Sequence, residues 1–136
     1  IQKLIDDLNF DIKLILSPII REDDGLAVSS RNVNLTKENR RNASILYKSL
    51  CYIKEQIDQG KTDLIQLIKQ AREMIDDIPN AKIDYYSAVS YPELKSVSKL
   101  EQKTLIALAV NFGNVRLIDN MIIENYWQLT KTNKNE

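Results

Sequence analysis

The chain has 136 residues, 43% of them hydrophobic, with 19 basic and 19 acidic side chains and no histidine. This length favours a single domain, and the balanced charge argues against a nucleic acid or an anionic membrane as partner. Because histidine is absent, acid–base or nucleophilic chemistry that needs an imidazole cannot be completed by this chain alone.

The first residues predict a helix followed by a strand. Apolar side chains at positions 1, 4, 5 and 8 recur at helical spacing, and Asn9 is a suitable stop. Residues 12–16 are an apolar run typical of a strand, which Pro18 prevents from continuing as a central strand. We therefore expect that the chain begins inside a helix of a larger protein.

A polar loop precedes the next predicted helix. Residues 22–25 are acidic, end in glycine and predict a turn, and Thr36 is suited to cap the helix. Between them lie two hydroxyls and a guanidinium, on Ser29, Ser30 and Arg31. Backbone N–H groups, rotatable hydroxyls and a planar arginine fork together match phosphate oxygens. The loop therefore predicts binding of a nucleoside triphosphate.

Other charged side chains near this loop have simpler interpretations. Asp23 and Asp24 predict a turn rather than a metal site, because an isolated acidic pair lacks further oxygen donors. Arg40 and Arg41 are either ligand contacts or part of a solvated basic helix start, and the sequence does not decide between the two.

Two amphipathic helices are predicted after Thr36. In the first, the apolar residues of segment 43–57 lie about one turn apart, and Gly60 ends the helix. The second begins at a cap formed by Thr62 or Asp63 and stops before Pro79. The two predict a helical hairpin.

The single cysteine, Cys51, lies in the first of these helices and has no disulfide partner in the chain. It is interpreted as a structural thiol in a reducing compartment. No apolar run reaches the roughly 20 residues of a membrane span, and no signal peptide is visible. These features favour a cytoplasmic location without membrane contact.

Three strands are predicted in the last third of the chain. The apolar period changes to two over residues 83–89, and Pro92 ends this strand. Residues 104–110 and 115–123 are two further apolar segments, and residues 111–114 between them have the composition of a hairpin turn. We expect an α+β fold in which the helical hairpin covers a small three-stranded antiparallel sheet.

The loop and the last strand also carry a family resemblance. Residues 18–22 (Pro-Ile-Ile-Arg-Glu), 24–32 (Asp-Gly-Leu-Ala-Val-Ser-Ser-Arg-Asn) and 113–120 (Gly-Asn-Val-Arg-Leu-Ile-Asp-Asn) resemble the C-terminal half of the pantoate–β-alanine ligase family. Residues 6–9 (Asp-Asp-Leu-Asn) resemble the segment before the last Rossmann strand of that family. The resemblance extends over nearly everything from residue 1 to residue 123.

The resemblance implies a division of the chain into three parts. Residues 1–17 would be the last helix and strand of a Rossmann-like domain, the rest of which is missing here. Residues 18–124 would be the C-terminal lid domain, and residues 125–136 a polar tail that we expect to be frayed.

The resemblance also implies an ATP-dependent ligase that makes pantothenate in two steps. Pantoate and ATP would give pantoyl adenylate and pyrophosphate, and β-alanine would then displace AMP, with Mg²⁺ offsetting the triphosphate charge. The ATP contacts carried over are the Ile20 backbone at the adenine and the loop residues Val28, Ser29, Ser30 and Arg31. No catalytic or metal-binding residue falls in this chain, and the chain alone is expected to be inactive.

Further expectations concern assembly, two charged residues of the last strand and an alternative function. The resemblance implies a homodimer formed mainly through the missing domain, whereas the apolar residues 12–16 predict that the isolated chain self-associates. Arg116 and Asp119 predict a structural ion pair or sheet-surface pair rather than catalytic groups. The alternative hypothesis, from another class of function, is that the chain is a stand-alone regulatory or interaction module that uses the loop only for packing.

Overall fold

The computed structural model describes residues 1–124, and the predicted frayed tail, residues 125–136, lies outside them. The α+β fold is confirmed: the sheet is antiparallel with strand order β1-β2-β3. None of the helices within residues 1–124 is long and apolar enough to cross a bilayer. The elements in chain order are α1 (Gln2–Asp7), a 3-10 helix (Ser30–Asn34), α2 (Lys37–Asn42), α3 (Ile45–Asp58), α4 (Leu64–Asp76), β1 (Ala81–Ser90), β2 (Lys103–Phe112) and β3 (Val115–Glu124).

The N-terminal segment forms the predicted helix but not the predicted strand. Helix α1 ends just before Asn9, whose φ of 50° does not continue a right-handed helix. Residues 12–16 have no strand structure, and Ile15 and Leu16 are 76% and 73% exposed. A strand requires a neighbour that pairs its N–H and C=O groups, and none of the three strands of the sheet pairs with this segment.

The helix predicted to follow Thr36 is divided in two. Thr36 is its N-cap as predicted, since its hydroxyl accepts a hydrogen bond from the Asn39 N–H at 3.1 Å. The chain then leaves the helix between α2 and α3, where the Ser44 hydroxyl donates to the Arg41 carbonyl at 3.3 Å. A serine that bonds to a nearby carbonyl competes with the helical backbone, which accounts for the break.

The helical hairpin is formed by α3 and α4. Gly60 follows the end of α3 with a φ of 94°, and the cap of α4 is Asp63, whose carboxylate accepts the Gln66 N–H at 3.1 Å. The hairpin covers one face of the sheet and forms the core with it, through the fully buried side chains Leu46, Leu50, Ile53, Leu67, Ala71, Ile75, Ile106 and Leu108.

A buried pair of hydroxyl groups joins α3 to β1. The Ser49 hydroxyl donates to the Leu46 carbonyl at 2.8 Å, and the Tyr86 hydroxyl lies 3.2 Å from the Ser49 oxygen. Because the Ser49 hydrogen is already used, Tyr86 is the donor in this contact. Burial raises the pKa of Tyr86.

The sheet turns one face to the helices and leaves the other open. Strands β2 and β3 are joined by a two-residue turn at Gly113 and Asn114, inside the predicted turn segment. In β1 the register shifts between Ile83 and Tyr85, so Tyr86 is buried while Tyr85 is exposed. Alternation along β3 places Asp119 on the buried side.

Candidate functional site

The segment from Ile20 to Asn34, here called the Ser-Ser-Arg loop, begins as a tight hairpin. The Val28 N–H donates to the Ile20 carbonyl at 2.9 Å, and the Glu22 N–H donates to the Leu26 carbonyl at 2.8 Å. The structure therefore brings together two of the predicted ATP contacts, Ile20 and Val28. Both side chains are exposed.

The other three predicted contacts lie at the start of the 3-10 helix, Ser30–Asn34. The Ser29 hydroxyl accepts the Arg31 N–H at 3.2 Å, and the Asn32 side chain donates to the Ala27 carbonyl at 3.0 Å. These two bonds fix the backbone of the turn. The Ser30 and Arg31 side chains are exposed, and neither has a hydrogen-bond partner within residues 1–124. A fixed backbone with free donors is suited to binding an anion.

An ion pair anchors the loop to the sheet. The Arg21 guanidinium donates two hydrogen bonds to the Asp119 carboxylate, at 2.7 and 3.0 Å, and a third to the Gly25 carbonyl at 3.0 Å. Its charge lies 3.9 Å from the centre of the Tyr47 ring. The hydrogen bond to Asp119 raises the pKa of Arg21, and the Asp119 side chain is only 1% exposed. The loop is thus held by a buried, bidentate contact.

Gly25 is required by this anchor for two reasons. Its φ of 91° lies in the left-handed region that L side chains rarely adopt. In addition, a Cβ at this position would lie 2.3 Å from Cδ1 of Tyr47. The hairpin turn can therefore approach the Tyr47 ring only because residue 25 is glycine.

In the acidic turn, the Asp24 carboxylate is paired with Arg40 of α2. Asp24 accepts hydrogen bonds from Arg40 at 2.6 and 3.3 Å and from the Leu26 N–H at 3.2 Å. The hydrogen bond from Arg40 lowers the pKa of Asp24 below its usual range. Arg40 is thus paired with Asp24 and Arg41 donates to the Lys37 carbonyl at 3.3 Å, which favours structural roles for both arginines.

The predicted pair of Arg116 and Asp119 does not form, because the two side chains lie on opposite faces of β3. Both side chains form ion pairs, but Asp119 binds Arg21, and Arg116 binds Asp84 on β1 at 2.7 and 2.9 Å. Among residues 1–124, no three or more acidic, histidine or cysteine side chains gather in a group able to hold a metal ion.

Two clefts flank the start of the 3-10 helix. The first, of about 290 Å³, separates the Ser-Ser-Arg loop from β3, and the predicted contacts Val28, Ser29 and Arg31 line it. The second, of about 500 Å³, is lined by Arg31, Asn34, Asn114, Val115 and Arg116. Ile20 and Ser30 line neither of the two. Of the five predicted ATP contacts, Arg31 is therefore the one that lines both clefts.

Comparison with known protein sequences identifies close relatives. Residues 1–122 match the sequence profile of the family described as pantoate-beta-alanine ligase. Relatives include the pantothenate synthetases of Acetivibrio thermocellus, 46% identical over 124 residues, and of Clostridium acetobutylicum, 49% identical over 120 residues. These matches cover 91% and 88% of this chain but 44% and 43% of the relatives. The chain thus spans less than half the length of the curated relatives it matches.

Solved structures give the same result for the fold and the family. Pantothenate synthetase from Thermus thermophilus superposes with a TM-score of 0.82 at 32% identity, over 88% of this chain and 43% of the other. Pantoate-beta-alanine ligase from Francisella tularensis, solved with beta-gamma ATP and beta-alanine, gives a TM-score of 0.53 at 30% identity, over 89% and 37%. Since the family profile covers nearly all of the described residues, the chain belongs to the pantoate-beta-alanine ligase family.

Proposed function

We propose that this chain supplies the triphosphate-binding loop of an ATP-dependent ligase that joins pantoate to β-alanine. In the first step the pantoate carboxylate attacks the α-phosphorus of ATP, and pantoyl adenylate forms as pyrophosphate leaves. In the second step the β-alanine amine attacks the acyl carbon, an amide bond forms, and AMP leaves. Family membership supports this reaction, and the relative from Francisella tularensis was solved with beta-gamma ATP and beta-alanine.

The observation that carries the proposal is the contrast between a fixed backbone and free donors in the Ser-Ser-Arg loop. The Arg31 side chain has no partner among residues 1–124, whereas its own N–H is held by Ser29. The Arg31 fork and the Ser30 hydroxyl bind phosphate oxygens, and Ser29 still has a hydroxyl hydrogen to donate. Each charge-assisted bond of this kind contributes roughly 1.5–3 kcal/mol when water is excluded.

The remaining contacts complete the ATP site. Ile20 contacts the adenine through its backbone, and Val28 lines the cleft beside Ser29. Mg²⁺ bound to the triphosphate offsets its charge and favours departure of pyrophosphate. We assign no metal ligand to residues 1–124, where the one acidic turn is tied to Arg40.

We further propose the domain arrangement that the sequence predicts. Residues 18–124 form a lid over ATP, and residues 1–17 are the end of a Rossmann-like domain that supplies the remaining catalytic groups. The whole protein is a cytoplasmic homodimer, and this chain alone is inactive. The exposed apolar residues 12–16 favour self-association of the isolated chain, so light scattering at high concentration is expected to show a dimer or larger species. A monomer at high concentration would refute the self-association.

The test uses the full-length product of the reading frame that encodes this chain. AMP release is expected to require ATP, Mg²⁺, pantoate and β-alanine together. Arg31→Ala is expected to lower kcat/KM by about tenfold or more, and Arg72→Ala, which removes the same charge from α4, is expected to leave it unchanged.

Two outcomes would contradict the proposal. A full-length product that releases no AMP from these substrates would exclude the ligase reaction. A product whose turnover is insensitive to Arg31→Ala would exclude the role of the loop. A reading frame that starts near residue 1, with no AMP release, would favour the stand-alone interaction module instead.

A further inference from the structure

Arg116 is the second residue of β3 and lies beside the Ser-Ser-Arg loop. Its neighbour Leu117 is buried against the helices, whereas Arg116 is on the open side of the sheet with 45% of its side chain exposed. The proposed function does not use this residue. Its surroundings nevertheless place it at the same clefts as Arg31.

Both clefts are lined by Arg31 and by Arg116, so the two arginines mark the place where the clefts adjoin. The larger cleft has only three other lining residues, Asn34, Asn114 and Val115, and none of them is a carboxylate. In the smaller cleft the lining carboxylate is Asp119, which is 1% exposed and neutralised by Arg21. The unneutralised charge that lines this junction is that of Arg31, and Arg116 lines it while paired with Asp84, whose carboxylate is 47% exposed but lines neither cleft.

The ion pair with Asp84 orients Arg116 without using all its donors. One oxygen of Asp84 accepts both bonds, from Nε at 2.9 Å and from Nη2 at 2.7 Å. Three of the five N–H groups of the guanidinium remain without a partner within residues 1–124. An arginine held on one edge by a carboxylate and open on the other is arranged to bind an oxyanion.

We infer that Arg116 is a second cationic contact for an oligophosphate, together with Arg31. The inference rests on the proposed function, because it adds a residue to the same site. The chemical class of the ligand is a chain of phosphoryl groups, as in ATP or pyrophosphate. Two guanidiniums from different elements, the 3-10 helix and β3, would fix the direction of that chain better than one.

The test is titration calorimetry of the full-length product with ATP and with pyrophosphate. Arg116→Ala is expected to raise the Kd for both ligands by about tenfold, as loss of one partly exposed charge-assisted contact predicts. Asp84→Ala removes the same ion pair but keeps the guanidinium, and is expected to leave the Kd unchanged or lower it. Arg116→Lys, which keeps the charge but not the fork, is expected to fall between wild type and Arg116→Ala.

Each contrary outcome has a separate meaning. If Arg116→Ala and Asp84→Ala raise the Kd equally, the ion pair affects binding only by stabilising the fold. That result would overturn the inference. Weakening by Arg31→Ala with no effect of Arg116→Ala or Arg116→Lys would overturn the inference while the proposed function stands. If Arg31→Ala has no effect either, the proposed function itself fails.

Discussion

Removing one partner of the Arg21–Asp119 pair is expected to destabilise the chain substantially. Arg21→Met keeps much of the side-chain volume but leaves the Asp119 carboxylate, 1% exposed, without its guanidinium. It also removes two charge-assisted hydrogen bonds of 2.7 and 3.0 Å, a third bond to the Gly25 carbonyl, and the contact with the Tyr47 ring. Breaking a buried pair in this way costs about 3–5 kcal/mol. Because Arg21 is 18% exposed and admits some water, we expect about 3 kcal/mol.

The assay is urea unfolding of the chain, followed by circular dichroism. The double variant Arg21→Met with Asp119→Asn removes the unpaired charge, so it is expected to recover part of the lost stability. Lys54→Met breaks an exposed pair with Asp58 on α3 and is expected to change the free energy of unfolding by less than about 0.5 kcal/mol. A loss below about 1 kcal/mol for Arg21→Met would refute the anchoring role of the pair.

Three further predictions test the loop and the core. Gly25→Ala is expected to destabilise the chain more than Gly60→Ala, since both glycines have positive φ but only Gly25 faces an aromatic ring. Equal losses in the free energy of unfolding, measured by urea unfolding, would contradict the predicted clash with that ring. Tyr86→Phe is expected to lower the free energy of unfolding by about 1 kcal/mol in the same assay, because the buried Ser49 oxygen loses its donor. Tyr85→Phe, at an exposed position, is expected to lower it by less than about 0.5 kcal/mol, and equal effects of the two changes would refute this prediction. Asp24→Asn is expected to cost less than about 1 kcal/mol at pH 7. Because the folded pKa of Asp24 is lowered from its usual value of 3.8, this difference should begin to shrink as the pH falls below 3.8 and disappear as the pH falls through the folded pKa; a pH-independent difference would refute the linkage.

Much of the fold follows from local signals in the sequence. Thr36 was identifiable as a cap, and Asp63 as one of two candidates with Thr62, because capping depends on residues within one turn. The Gly113 turn was identifiable because its composition is typical of tight hairpins. The helix break at Ser44 was missed, since serine inside an amphipathic pattern is compatible with a continuous helix. The strand predicted at residues 12–16 failed because apolar composition alone does not supply a pairing neighbour.

The site was predictable only in part. The Ser-Ser-Arg segment was found from its residues and its family resemblance, but the anchor that holds it joins residues 98 positions apart. The sequence does indicate that Asp119 needs a partner. Side chains alternate between the two faces along β3, so Asp119 lies on the buried face, and a buried carboxylate requires a cationic partner. Which arginine provides that partner depends on the path of the loop across the sheet, and spacing in the sequence does not determine that path.

The most direct test of the proposed triphosphate site is the turnover of the full-length product with Ser29, Ser30 and Arg31 all replaced by alanine. We expect the rate of AMP formation to fall by about a hundredfold or more, because two hydroxyl donors and a charged fork are lost together. Circular dichroism should show unchanged secondary structure, since Arg21 still anchors the loop to the sheet although Ser29→Ala removes the hydrogen bond to the Arg31 N–H. Normal turnover by this triple variant would contradict the assignment of the loop to the triphosphate.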